Sequence, residues 1–198
     1  DAEYGREKGR DTMRKYVGER IKALREAQDM TLAQVCKLTG IPEDRLLAYE
    51  DGSAVPAIGA VIQLSRVLGS KMAGLLHGGG TVSDSLTICR YGESLAGEQG
   101  DTEQSYAYAS LTRPGTAGHT MEPFLLSFDP NVRQGVPITH DGQEFVYVVN
   151  GAVELCYDGH SYRLDTGDSA YLNSSLPHTF HGLGNEIAKV LAVVSYSS

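Results

Sequence analysis

The sequence predicts a protein of two parts: an N-terminal bundle of five short helices and a C-terminal antiparallel β-barrel or jelly roll. Three observations carry this. Up to residue 77 the apolar residues recur at three- and four-residue spacing, and beyond it they fall into short runs and alternations, so the period changes from helix to strand. The charge divides at the same place: residues 1–77 hold 12 Lys and Arg against 11 Asp and Glu, whereas residues 78–198 hold 5 against 14. Between them lies His77-Gly78-Gly79-Gly80-Thr81, the most flexible stretch by composition, which marks the boundary.

In the first part, Val17, Ile21 and Leu24 line one side of a helix from Val17 to Ala27, with Arg20, Lys22, Arg25 and Glu26 on the other. Thr31 is a good N-cap for a second helix, Leu32 to Thr39, which Gly40 stops. Pro42 sits at the first position of a third helix through Glu50, closed by Asp51-Gly52. Ile58, Val61, Ile62, Leu64 and Leu68 mark a fourth helix over Ala57 to Leu68, and a fifth lies around Met72 to Leu76.

The strand candidates of the second part are Ser105 to Leu111, Phe124 to Phe128, Glu144 to Val149, Ala152 to Tyr157, Ser161 to Leu164, Ser169 to Leu172 and Ala188 to Val194. Asn150-Gly151, Asp158-Gly159 and Thr166-Gly167-Asp168 read as the turns between them, Asn-Gly being a strong hairpin signal. An antiparallel barrel or sandwich is the economical architecture.

Composition bounds the function. The chain has 198 residues, enough to bury a core without covalent staples. Its mean hydropathy is −0.24, and no uncharged apolar run approaches the roughly 20 residues of a membrane-spanning helix, so no membrane partner is expected. The opening, DAEYGREKGRDTMRKYVGER, is charged where a secretory signal is apolar, and the expected compartment is the cytoplasm. Residues 1–16 read as a charged arm. Cys36, Cys89 and Cys156 are odd in number and form no CxxC pair, so they frame neither disulfides nor a Cys-rich zinc site and read as small buried hydrophobes. A nucleic-acid partner belongs to the first part, because phosphates repel the acidic second part.

The segment TLAQVCKLTGIPEDRLLAYEDG, followed by Pro56 and Leu68-Gly69, resembles the Xre and phage-repressor family of helix-turn-helix domains over Val17 to Leu76. The resemblance implies that the helix from Glu43 presents its first exposed residues to double-stranded DNA. Those residues are Glu43 and Asp44, followed by Arg45, Ala48 and Tyr49, with Gln34 and Lys37 as contacts from the preceding helix. Carboxylates are poor neighbours for phosphate, although they accept from cytosine N4. The alternative is a helical bundle used for dimerisation or for packing on the second part.

Two further segments, Gly135-Val136-Pro137-Ile138-Thr139-His140-Asp141-Gly142-Gln143-Glu144 and Gly167-Asp168 with Pro177-His178, look like the two motifs of the cupin superfamily. That resemblance implies a divalent metal held by His140, Glu144 and His178. The second histidine of the first motif falls at Gly142, leaving two imidazoles and one carboxylate. This set is typical of non-haem iron, and zinc, manganese and nickel also suit it. His181 is the candidate spare ligand, or a group that supports the ligands from behind. Tyr106 and Tyr108, two apart on one strand face, are candidate cavity residues, with core packing as the alternative.

The whole order resembles the Xre-cupin transcriptional regulators, with a charged arm at 1–16, a helix-turn-helix domain at 17–77, a linker with the first strand or strands at 78–104, and a cupin domain at 105–198. It implies a homodimer, or a higher homo-oligomer, that binds DNA and senses a small-molecule effector or a metal. The hydroxypropylphosphonate epoxidases, mononuclear iron enzymes, share the domain order and the His-x-x-x-Glu spacing. Their substrate clamp would fall on Asp29, Pro137, Tyr108 and a position near Ser195, and only Tyr108 matches. Asp29 in place of a lysine repels a phosphonate dianion, so the epoxidation is disfavoured and another iron-dependent oxidation stays as the alternative to regulation.

Overall fold

A computed structural model describes residues 16–70, 72–77, 86, 88–90, 96–97, 106–112, 120–132 and 134–195. Residues 1–15 of the expected arm, the Gly78–Gly80 boundary and most of the 78–104 segment lie outside the described residues. Those described divide into two compact units, one of helices and one of strands.

In the helical unit, α1 covers residues 16–27 and buries Val17 and Ile21. α2 (Leu32–Thr39) starts with a capping box, in which the Thr31 hydroxyl accepts from the Gln34 backbone N–H and the Gln34 carboxamide accepts from that of Thr31. It ends at Gly40, whose φ of 74° glycine adopts without strain and whose N–H donates to the Cys36 carbonyl. α3 (Glu43–Glu50) has Pro42 as its N-cap, one position earlier than the sequence pattern places it. α4 (Ile58–Val67) and α5 (Met72–His77) complete the unit around Leu46, Leu64, Leu68 and Leu75.

Arg25 departs from its expected solvent face. It turns inward and meets Glu50 through two hydrogen bonds of 2.6 and 2.9 Å, while its third donor reaches the Met30 carbonyl at 2.9 Å. The α1 pattern alone hides this, because a guanidinium reads as polar whether it faces water or a buried carboxylate. Arg20 donates to the Leu75 and Leu76 carbonyls, satisfying groups that the end of α5 leaves open.

The strand unit holds β1 (Ala96–Gly97), β2 (Ala107–Ser110), β3 (Met121–Phe128), β4 (Gln143–Asn150), β5 (Ala152–Tyr157), β6 (His160–Asp165), β7 (Ser169–Asn173), β8 (His178–Leu183) and β9 (Ala188–Ser195). One sheet runs β1-β2-β3-β9-β4-β7 and the other β6-β5-β8, and every pairing is antiparallel. Among the described strands the sheets do not close on each other, so the expected barrel is an open, two-sheet jelly roll. Alternate residues of β3, β4 and β9 face inward, where Phe124, Val146, Val190 and Ala192 are buried, and Phe128 reaches Phe180 of the smaller sheet with ring centres 5.9 Å apart.

Only one of the three predicted turns joins paired strands directly. Asp158-Gly159 links β5 to β6, with Tyr157 opposite His160. Asn150-Gly151 instead carries the chain from the larger sheet into the smaller, and Thr166-Gly167-Asp168 carries it back. Asn150 still pairs with Lys189 beyond a bulge in β4, and Gly151, at φ 77°, lies so close to Ala188 that a Cβ there would sit 2.9 Å from its Cα. β8 is a strand the pattern misses, because Pro177 and the polar HTFHGL run mask its alternation. The three cysteines are thiols and only partly buried, which corrects their assignment to the core.

Candidate functional site

His140 precedes β4, Glu144 is the second residue of that strand, and His178 opens β8. Backbone bonds bring these segments together. Ile138 and His178 exchange N–H···O bonds of 2.9 and 3.0 Å, the His140 N–H donates to the Ser174 carbonyl at 2.8 Å, and that of Ser174 to the Gly142 carbonyl at 3.2 Å. The ligand pattern thus rests on a loop tied to two other elements by main chain alone.

The three side chains converge as expected. All are buried, and their nearest ligand atoms lie within 4.8 Å of one another. Each imidazole Nε2 is 3.5 Å from Glu144 Oε2, beyond normal hydrogen-bond length, and the rings are 5.2 Å apart at 71°. Each Nδ1 lies against a main-chain carbonyl, that of Asp141 at 3.1 Å for His140 and that of Leu176 at 2.9 Å for His178. A proton on Nδ1 satisfies those carbonyls and turns both Nε2 lone pairs inward, the tautomer a metal requires.

The electrostatics agree. Burial pushes the Glu144 carboxyl up, but the facing imidazoles of His140 and His178 outweigh it and hold the group below its ordinary range. Burial draws His178 down, but Glu144 and the Leu176 carbonyl outweigh it and leave the imidazole raised. His178 Nε2 is buried without a hydrogen-bond partner. An orphaned imidazole nitrogen facing a carboxylate oxygen and a second imidazole fits a divalent cation, and with three protein donors such an ion keeps positions for water or a ligand.

A helix-turn-helix family model matches residues 17–74, and a cupin family model matches residues 124–194. The chain joins a helix-turn-helix domain to a cupin domain. The HTH-type transcriptional regulator PuuR of Escherichia coli (strain K12) is 22% identical over 176 residues, covering 88% of this chain and 92% of PuuR. An HTH_3 family transcriptional regulator from Vibrio cholerae shares the fold, with a TM-score of 0.67 at 18% identity over 94% of this chain and 98% of that one. Hydroxypropylphosphonic acid epoxidase from S. wedmorenis gives a TM-score of 0.48 at 24% identity over 93% and 99%. The expected kinship with helix-turn-helix–cupin regulators is borne out.

Within the cupin domain the remaining expected residues separate. Tyr108 is buried and meets Phe124 edge-on, 6.0 Å between ring centres, as part of the core. Tyr106 packs against Phe128 at 5.3 Å, and its phenol is pushed well above its ordinary range, first by burial and then by the charge of Glu144. His181 lies opposite Glu154, three residues from His178 along β8, so the pleat turns it to the other face and it does not join the triad.

In the helix-turn-helix domain Gln34, Lys37, Glu43 and Asp44 face solvent, although the Gln34 carboxamide is engaged in the cap of α2. Arg45 is half-buried over the Tyr49 ring, 5.8 Å to its centre. Tyr49, 3% exposed, belongs to the core and presents no surface to a groove. Leu47 is the outward residue that the reading missed. Its three- and four-residue spacing from Asp44 and Glu43 signals it, whereas Tyr49 falls on the side of Leu46.

Proposed function

We propose that the protein is a DNA-binding transcriptional regulator whose cupin domain responds to a small molecule or a metal. The observation that carries the reading is the pairing, in one chain, of a capped α2–turn–α3 element with a buried three-donor centre. Lys37, Gln34, Glu43, Asp44 and the outward Leu47 form the surface offered to the major groove, and Arg45 lies over the Tyr49 ring one turn along the same helix. His140, Glu144 and His178 are the metal ligands, and iron, zinc, manganese or nickel suits the set. When bound, the ion supplies a Lewis-acidic anchor for an oxygen donor of the effector. No described helix is long and apolar enough to cross a membrane, and we place the protein in the cytoplasm with its DNA.

The regulator works as a homodimer, because two readers are needed for half-sites one helical turn apart. The outward face of the larger sheet supports this. Tyr171, Phe145 and Val193 share one row, and Tyr147 and Leu191 the next. Tyr171 and Met121 are 68% and 60% exposed, and Lys189 is the one charged residue at the outward positions of β3, β9, β4 and β7. The exposed apolar side chains here offer on the order of 600 Å², beyond what isolated surface hydrophobes present. On an otherwise acidic unit, this is the face on which two copies meet without repulsion.

The test is binding of the full chain to DNA from upstream of its own gene, followed by fluorescence anisotropy at several salt concentrations. A specific complex whose affinity falls steeply with salt is expected. Absence of any complex, with or without divalent metal, would overturn the regulator and return the helices to a packing role.

A further inference from the structure

Beyond the metal ligands, the inner face of the cupin domain carries polar groups that neither packing nor the triad uses. Glu122 of β3 pairs with Val194 of β9, and Val194 pairs with Glu144 of β4, so the three side chains stand in one row on one face. Across two strand spacings the two carboxyl-bearing Cα atoms are roughly 10 Å apart. Glu122 is 3% exposed. Thr112 bonds its carboxyl, and the Thr112 hydroxyl lies 3.0 Å from that of Ser110. Glu122 Oε2 nonetheless has no partner. The wholly buried hydroxyl of Ser174 is also without a partner.

An apolar residue at 122 would continue the row of Phe124, Leu126 and Phe128 without leaving an oxygen unsatisfied. A carboxyl in that place is explained by something that enters and donates to it. Apolar Val194 and Leu172 share the row with the two carboxyls, so apolar side chains lie beside a few polar groups, the composition that small-molecule sites use. Charge narrows the ligand. A divalent ion on Glu144 leaves one positive charge to be met by an anionic oxygen, and an ammonium at Glu122 would take the place of the proton that burial otherwise keeps on that carboxyl.

We propose that the effector is a short aminoalkanoate, its carboxylate directed to the His140–Glu144–His178 centre and its ammonium to Glu122. The inference rests on the sensing role of the cupin domain and names the chemistry sensed. The row spacing, less the contacts at each end, leaves room for a chain of about three to five carbons. Ser174, whose main chain is bonded to His140 and Gly142, offers a further buried hydroxyl, and Thr112 positions the Glu122 carboxyl.

The experiment uses the full chain loaded with cobalt(II), with its metal content measured, and titrates β-alanine, 4-aminobutanoate and 5-aminopentanoate against pentanoate and pentylamine by calorimetry. At least one aminoalkanoate should bind tenfold or more tightly than both monofunctional compounds. Glu122→Gln should lose that advantage with its cobalt content and visible spectrum unchanged. Glu122→Asp, which retracts the carboxyl, should move the preference to the next longer homologue. No binding anywhere in the series, or equal binding by Glu122→Gln and the parent, overturns the proposal. DNA binding is measured on the same samples: intact DNA binding without an amine response sinks this inference alone, and the reverse sinks the regulator alone.

Discussion

Arg25 and Glu50 clasp α1 to α3 through two parallel hydrogen bonds, with side chains 12% and 6% exposed. Neither charge has much water to fall back on. Removing one partner strands the other, so Glu50→Ala should destabilise the helical unit by about 2–4 kcal/mol, read as a lower midpoint in its unfolding transition. Replacing both by packed apolar residues, Arg25→Met with Glu50→Leu, should recover most of that loss, because the pair is costly chiefly when broken.

The triad makes a sharp comparison between two histidines of one strand. His178→Ala should weaken divalent-metal binding by at least about a hundredfold, since it removes one of three donors. His181→Ala, on the opposite face, should leave metal content as it is. Elemental analysis after equilibrium dialysis distinguishes the two.

Glu122 gives a pH dependence of definite sign. Burial raises its carboxyl to about 7, against the lowering effect of Thr112. The folded protein therefore keeps a proton that the unfolded chain gives up from about 4.5, and stability falls as pH rises between those values. The loss is on the order of 3 kcal/mol and is complete above about 7. Glu122→Gln should flatten this slope, so that the variant overtakes the parent between pH 5 and 8 in urea unfolding. Parallel pH profiles for the two would refute the assignment.

For the sheet face, Tyr147→Glu adds a negative charge where two acidic units are to meet. Sedimentation should find a monomer with a normal unfolding midpoint, and affinity for an operator of two half-sites should drop by about a hundredfold or more.

On the DNA side, Lys37→Ala should lessen the dependence of log affinity on log salt by about one phosphate's worth and weaken binding evenly across sequences. Glu43→Gln should strengthen non-specific binding, because it takes a carboxylate away from the backbone.

Local chemistry made much of this legible in the sequence. Thr31 and Gly40 delimit α2 because each end of a helix needs a group of its kind, and His140, Glu144 and His178 stand out because their residue types and spacing match a known ligand pattern. What stayed hidden depends on long-range partners. Asn150-Gly151 looks like a hairpin until β4 is seen to pair with β9, and Arg25 looks exposed until Glu50 arrives from α3. Tyr49 and His181 were misplaced for a simpler reason. Each lies near a functional residue in sequence while the helical turn or the pleat points it elsewhere.

The paired main-chain bonds between Ile138 and His178 fasten the two histidine-bearing segments to each other whatever ion arrives. These bonds involve no metal donor, so exchanging one ion for another would demand no rearrangement of them. Discrimination among metals then falls to the cell, through which ion it supplies and in what amount, more than to any shape change in the protein.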